Sequence, residues 1–419
     1  MKLRFRWLAI LAVFALVVAA CGDDDATETT AAPQTTAAAT TVAETTEAPK
    51  APITLYGINQ QDGVVAWPEV ASASYAIIDW YNAQGGIDGH PLQLELCTAG
   101  DDPESTQACA QQYANDDAVE WVFPMSVPSS DAMFQVLGEA GKPMIGHLLW
   151  DIPDSIQPDL FSADPGVLPG ATVVMEHLAL TLGMTNIGLV TTDSPFGRDT
   201  ADLLGFLLGE YGAATEAIFY DVGTADYLPA FAAFDADAID AIFFLPFTVG
   251  ECVPGAEALA TLGWDKTVIS TDFCAAEAFA AMDAFDQWLF INPTTALIDG
   301  NPDRDLLVSI FEEYGDGVKV DGFAVNGAME TFWAIEVLED AYVLAGGPDI
   351  TGDHMRQAAT DWSGHLTIGP DTLDCPGPVP FTATCNGNYY LMKLSGGKFT
   401  QETPSQVVDL SVYAPLLEG

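Results

Sequence analysis

Basic residues are scarce in this chain. Across 419 residues, 12 lysines and arginines face 60 aspartates and glutamates, a formal net charge of −48 at pH 7. Nucleic-acid binding needs a basic footprint on the phosphates, so that class of function is excluded. Charge-driven adsorption to anionic lipid is excluded on the same ground. The acidic coat reads as a solubility device whose self-repulsion salt would screen. Histidine is also sparse, with five scattered residues, and no C-x-x-C spacing occurs. Neither a metal site nor a cofactor is expected from such a distribution. The chain has no Gly-rich phosphate loop, no G-x-S-x-G elbow and no H-E-x-x-H. Without those arrangements no catalytic residues are assigned, and the chain is not read as an enzyme. Beyond the N-terminus no apolar run approaches the about 20 residues that span a bilayer.

The N-terminus carries a targeting signal. Lys2, Arg4 and Arg6 precede an apolar run, Trp7 to Val18, that closes on Ala19 and Ala20. That is the build of a secretory signal peptide over residues 1–20. Val18-Ala19-Ala20-Cys21 resembles a bacterial lipobox, in which the cysteine is acylated and becomes the mature N-terminus. Acyl chains on Cys21 would hold the protein at a membrane without a transmembrane helix. Residues 21–51 then form a tether of Thr, Ala, Glu, Asp and Pro, too poor in large apolar side chains to offset the entropy of ordering. The expected location is extracytoplasmic, on the outer face of the bacterial cytoplasmic membrane.

Six cysteines follow Cys21: Cys97, Cys109, Cys252, Cys274, Cys375 and Cys385. An even number in an exported chain reads as disulfides, although sequence alone leaves many pairings open. They fall in three close sequential pairs, and the expectation is 97–109, 252–274 and 375–385.

From Pro52 onward the chain is long enough for two domains and apolar enough for a substantial core. Short apolar runs alternate with helical periodicity. Strands are expected at Ile53–Asn59, Leu92–Leu96, Ala118–Phe123, Pro143–Gly146, Asn186–Thr191, Glu216–Tyr220, Ile239–Leu245, Thr267–Ser270 and Trp288–Asn292. Helices fall between them, and Phe323–Leu344 forms a long amphipathic one with Ala328, Phe332, Ile335, Leu338 and Tyr342 on one face. Repeated βα units imply an α/β fold with parallel sheets covered on both faces.

Several local motifs then point to one family. Ile77–Leu92 reads IIDWYNAQGGIDGHPL, in which Gly85-Gly86 would cap a helix and Gly89 would turn the chain into a strand. Asp101-Asp102-Pro103 opens the next helix, Asp193-Ser194-Pro195-Phe196-Gly197 opens a later one, and Gly263-Trp264 ends another. In order and spacing, residues 53–393 resemble the type I periplasmic binding proteins, in the leucine/isoleucine/valine-binding branch. The resemblance implies a clamshell of two doubly wound, Rossmann-like lobes joined by a three-crossing hinge. Lobe 1 would hold 53–164 and 293–362, and lobe 2 would hold 165–292 and 363–400, with 401–419 as a tail. The crossings would lie near Ala163–Pro165, Asn292–Thr294 and Thr367–Gly369. Ligand would bind between the lobes at the carboxyl ends of the strands.

The same resemblance nominates site residues. The family holds an amino-acid carboxylate with hydroxyls and backbone N–H groups on two lobe 1 loops. Here these loops are Met125–Ser130, offering Ser126, Ser129 and Ser130, and Gly146–Trp150, with His147 and Trp150. Ser129 and Ser130 equally suit helix N-caps. The second loop departs from the family pattern, because Leu148, Leu149 and Trp150 replace small residues and a threonine. On lobe 2, Phe196 and Phe247 match aromatic positions, and Asp272 matches the acid that holds a ligand ammonium. Trp67, on the loop after the first strand, is a candidate lid. The implied role is a solute-binding lipoprotein that delivers a small molecule to an ABC permease and ATPase. An apolar amino acid leads as ligand, with an amide, an amine or a small aromatic compound as the alternative. A surface sensor and a secreted hydrolase on a related scaffold are competing roles.

Overall fold

The computed structural model describes residues 50–63, 65–128, 130–224, 226–404, 406–410 and 413. Cys21, the tether through residue 49 and Ser129 lie outside the described residues. All that is described belongs to one unit, Pro49–Gly419.

The first lobe begins with β1 (Ile53–Gln60), α1 (Pro68–Ala83), β2 (Leu92–Ala99), α2 (Pro103–Ala114) and α3 (Asp131–Glu139). It continues through β3 (Met144–Ile145), α4 (Ile152–Ser155) and β4 (Leu160–Phe161). β1 and β2 pair in parallel, as do β3 and β4. The expected strand Ala118–Phe123 survives only as parallel bridges, Phe123 to Gly57 and Val122 to Met144, and these link the two pairs. At the α1–β2 turn, Gly86 has φ +63°, and a Cβ there would fall 2.0 Å from the His90 carbonyl oxygen. Only glycine fits both the left-handed backbone and that approach.

The second lobe contains α5 (Val167–Glu176), β5 (Asn186–Thr192), α6 (Pro195–Glu210), β6 (Ala214–Tyr220), α7 (Leu228–Ala232) and β7 (Ala241–Leu245). It goes on with α8 (Cys252–Leu262), β8 (Thr267–Thr271), α9 (Glu277–Ala280) and β9 (Leu289–Asn292). The chain then returns to the first lobe with α10 (Pro302–Tyr314), α11 (Gly322–Ala345) and α12 (Gly352–Asp361). It ends with β10 (Ser363–Gly364), β11 (Leu373–Asp374), β12 (Asn388–Ser395), β13 (Lys398–Gln401) and β14 (Gln406–Val407). The second sheet runs β13-β12-β9-β8-β7-β5-β6. It is parallel from β9 to β6 and antiparallel where β12 joins β9 and β13. β14, from the expected tail, pairs with β12.

Alternation along β7 explains how this sheet serves two cores. Phe243 and Leu245 point into the layer under α5 and α6, whereas Ile242 and Phe244 face the opposite layer. α11 belongs to the first lobe: Thr331 meets Ser74 of α1 at 2.8 Å, and the Trp333 indole N–H donates to the Phe161 carbonyl at 3.0 Å. The disulfides pair as expected, Cys97–Cys109, Cys252–Cys274 and Cys375–Cys385. Among the described residues no helix is long and apolar enough to cross a membrane, and no group of His, Cys, Asp or Glu is placed to hold a metal ion.

Candidate functional site

The two lobes meet over a cluster of aromatic rings. From the first lobe come Trp67, Trp150 and Phe323, and from the second come Phe196, Phe247 and Phe273. Trp67 sits at the N-cap of α1, and its loop is tied to the end of β1. The Asn59 side-chain amide donates to the Trp67 carbonyl at 2.9 Å, and the Gln60 amide donates to the Val65 carbonyl at 2.8 Å. The Trp67 ring then lies 4.6 Å from Trp150 and 5.4 Å from Phe323, centroid to centroid. Phe273 stacks on Phe323 at 4.0 Å with 13° between the planes, a direct contact between lobes.

Phe247 is set by Glu251, whose carboxylate accepts from the Phe247 and Thr248 N–H groups and from the Tyr220 hydroxyl. Phe196 rides on the first turn of α6. There the Ser194 hydroxyl accepts from the Gly197 N–H at 3.1 Å.

Asp272 opens a short turn after β8 that the Cys252–Cys274 disulfide ties to α8. Its carboxylate accepts from the Asn326 side-chain amide of α11 at 2.7 Å, across the lobe boundary. Burial pushes the Asp272 carboxyl up to about 7; the Asp164 carboxylate adds to the rise and the Asn326 bond works against it. Gly322 makes this approach possible, since a Cβ there would lie 2.2 Å from the Asp272 carbonyl oxygen.

Beneath the aromatic cluster is a cavity of about 100 Å³. Its first-lobe side includes Leu149, Trp150, Phe323 and Asn326. Its second-lobe side includes Gly170, Phe196, Thr271, Asp272, Ile291 and Tyr389, with Asp164 from the segment between β4 and α5. None of the lining residues is a lysine, arginine or histidine. Three polar atoms on the lining residues are buried without a hydrogen-bond partner among the described residues: Trp150 Nε1, Thr271 Oγ1 and Asn326 Oδ1. Burial also raises Asp164 to about 6, although the Leu149 N–H bonds it at 2.7 Å.

The residues expected from sequence therefore separate into three groups. Trp150, Phe196 and Asp272 line the cavity. Trp67 and Phe247 complete the aromatic cluster around it, each in ring contact with Trp150. Ser126, Ser130 and His147 lie elsewhere in the loops. The Ser130 hydroxyl donates to Asp154 Oδ1 at 2.6 Å and makes no helix cap. His147 is fully buried, with Nδ1 2.7 Å from the Pro124 carbonyl oxygen and Nε2 3.5 Å from Asp154. Burial pulls its pKa down, but Asp154 and the Pro124 carbonyl outweigh that and leave it raised. The Ser126 hydroxyl is buried with no partner among the described residues and does not line the cavity. Sequence reasoning missed Asp164, Phe273, Phe323, Asn326 and Tyr389. Phe273 adjoins Asp272 and was within reach, whereas Asn326 and Tyr389 arrive from distant parts of the chain.

This geometry can be set beside known proteins. The sequence model of the periplasmic binding proteins matches residues 66–398, most of the chain. The chain belongs to the periplasmic binding protein family. None of the curated proteins matches it. Among solved structures, the leucine binding protein LivK from Thermotoga maritima MSB8 is similar at 14% identity and a TM-score of 0.68, covering 85% of this chain and 99% of that one. A fatty acid ABC transporter substrate-binding protein from Thermomonospora curvata is similar at 14% identity and a TM-score of 0.69, over 86% of this chain and 94% of that one. A solute-binding protein of an ABC transporter from R. palustris, in complex with benzoate, is similar at 15% identity and a TM-score of 0.69, over 85% and 98%. At these identities the likeness shows the fold, the type I periplasmic-binding-protein architecture, and leaves the ligand to the site.

Proposed function

We propose that this periplasmic binding protein is the lipid-anchored, extracytoplasmic solute-binding subunit of an ABC importer, and that it closes on a small molecule with an apolar body and a protonated amine. The importer's permease and ATPase would be separate chains, and Cys21 would carry the anchor. One observation supports the ligand class. Among the described residues, Asp272 presents a buried carboxylate to an aromatic-walled cavity with a single neutral side-chain partner, Asn326, and no basic side chain lines that cavity. An ionised carboxylate so placed is costly without a cation. An ammonium group would offset that cost, and the surrounding rings would add cation–π attraction. A free carboxylic acid would bring a further negative charge beside Asp164 and Asp272.

An apolar amino acid is the second reading. Its support is the family resemblance, which assigns the loop of Ser126 to a ligand carboxylate; the Ser126 hydroxyl is buried with no partner among the described residues, off the cavity lining. A thermal-shift screen of the mature chain tests both, using primary amines, apolar amino acids, amides, small aromatic acids and sugars at fixed salt. A ligand at 100 times its dissociation constant adds about 2.7 kcal/mol of stability. Amines or amino acids should raise the melting point, and Asp272→Asn should abolish the response. A response confined to acids or sugars would overturn the amine assignment.

A further inference from the structure

The cavity does not stop at the cleft. Its lining joins a polar set, Asp164, Thr271, Asp272 and Asn326, to an apolar set, Gly170, Ala171, Phe243, Leu245, Ile291 and Tyr389. Ala171, Phe243, Leu245, Ile291 and Tyr389 belong to the apolar core between the second sheet and helices α5 and α6. The space thus enters the interior of the second lobe, under the first turns of α5. None of the residues singled out from sequence lines that inner end.

Gly170 marks its floor. A Cβ built there would lie 3.0 to 3.2 Å from the Tyr389 ring and hydroxyl, so the ring rests against a helix surface without a side chain. We propose that this inner end is a side slot that receives the ligand's apolar group, and that Gly170, Ala171, Ile291 and Tyr389 set the size it admits. The inference rests on the ligand carrying its amine at Asp272, which directs the rest of the molecule inward. Size follows from volume. An apolar cavity of about 150 Å³ in another protein holds benzene, and this one measures about 100 Å³ with its polar lining included. The slot therefore takes a compact aliphatic group, of propyl to isobutyl size, and rejects a phenyl ring or a long acyl tail.

Xenon tests the slot without reference to any ligand, because it enters dry apolar cavities. Crystals of the mature chain under xenon pressure should show an anomalous peak between Gly170, Ile291 and Tyr389. Ala171→Leu fills the space and should remove the peak. If that variant fails to fold, Gly170→Ala, which adds a methyl against Tyr389 at a helix-compatible position, should weaken it. In parallel, isobutylamine should raise the melting point of the wild type but not of Ala171→Leu, and benzylamine should leave both unchanged. Absence of xenon from this place overturns the slot. An equal response to benzylamine overturns the size limit. A xenon peak without response to any amine keeps the slot and removes the amine reading.

Discussion

Replacing Asp272 with asparagine should make the ligand-free protein more stable at neutral pH. The side chain keeps its shape, and its oxygen can still accept from Asn326. What disappears is a buried negative charge. In the folded protein the carboxyl titrates at about 7, against about 3.9 for an aspartate in an unfolded chain. The sign follows from this. A raised folded-state pKa means that the folded protein holds the proton more tightly, so the stability it confers is complete below about pH 4 and is lost as pH rises to about 7. Three units correspond to about 4 kcal/mol, or about 5 °C in melting temperature for a body of this size. The variant and the wild type should melt together near pH 4. Their curves should then separate until the variant melts about 5 °C higher at pH 8. Scanning fluorimetry from pH 4 to 8 measures this, and repetition at high salt distinguishes the buried charge from the screened acidic surface. Parallel curves at all pH values would refute the argument.

Two other perturbations address neighbouring parts of the site. Gly322→Ala places a methyl against the Asp272 carbonyl, where a Cβ would lie 2.2 Å away. It should push α11 off the β8 turn, increase the radius of gyration in X-ray scattering and weaken ligand binding at least tenfold, about 1.4 kcal/mol; an unchanged radius would show that this contact does not hold the lobes closed. Replacing Cys252 and Cys274 together by alanine opens a crosslink with a sequence separation of 22, which should cost about 3 kcal/mol, read as a lower urea midpoint with intact fold, and a midpoint that does not move would refute it.

Much of the fold was legible because its signals are local. Strand β7 lies within the run expected at Ile239–Leu245, and the Gly85-Gly86 and Gly89 turn adopts positive φ at all three glycines, +109°, +63° and +80°. The disulfides followed from sequential proximity. Helices α10 and α12 went unassigned, although Asn301 and Thr351 cap them. Both caps lie in stretches dense in polar and turn-forming residues, where the apolar period is weak. The strand expected at Ala118–Phe123 shrank to two bridges because the sheet meets it only at Val122 and Phe123. At the site, the readable residues were those fixed by their own loop, such as Trp150, Phe196 and Asp272. Ser130 and His147 could not be resolved the same way, since both approach Asp154, whose position depends on how a separate segment folds back.

Under the proposed function, the contacts between lobes would let a charged ligand act as the closing agent. Without ligand, closure is supported by the Phe273–Phe323 stack, the Asn326–Asp272 hydrogen bond and the close fit at Gly322. It is opposed by enclosing the Asp272 carboxylate at neutral pH. An opened cleft would expose that carboxylate to water and remove the penalty. A ligand ammonium would remove the same penalty while leaving the cleft closed, so its binding free energy differs between the two states by about the cost of the buried charge. Such a difference is what a ligand needs to shift a conformational equilibrium. A neutral molecule of equal size would fill the same space yet leave the charge uncompensated, and would bind without driving closure.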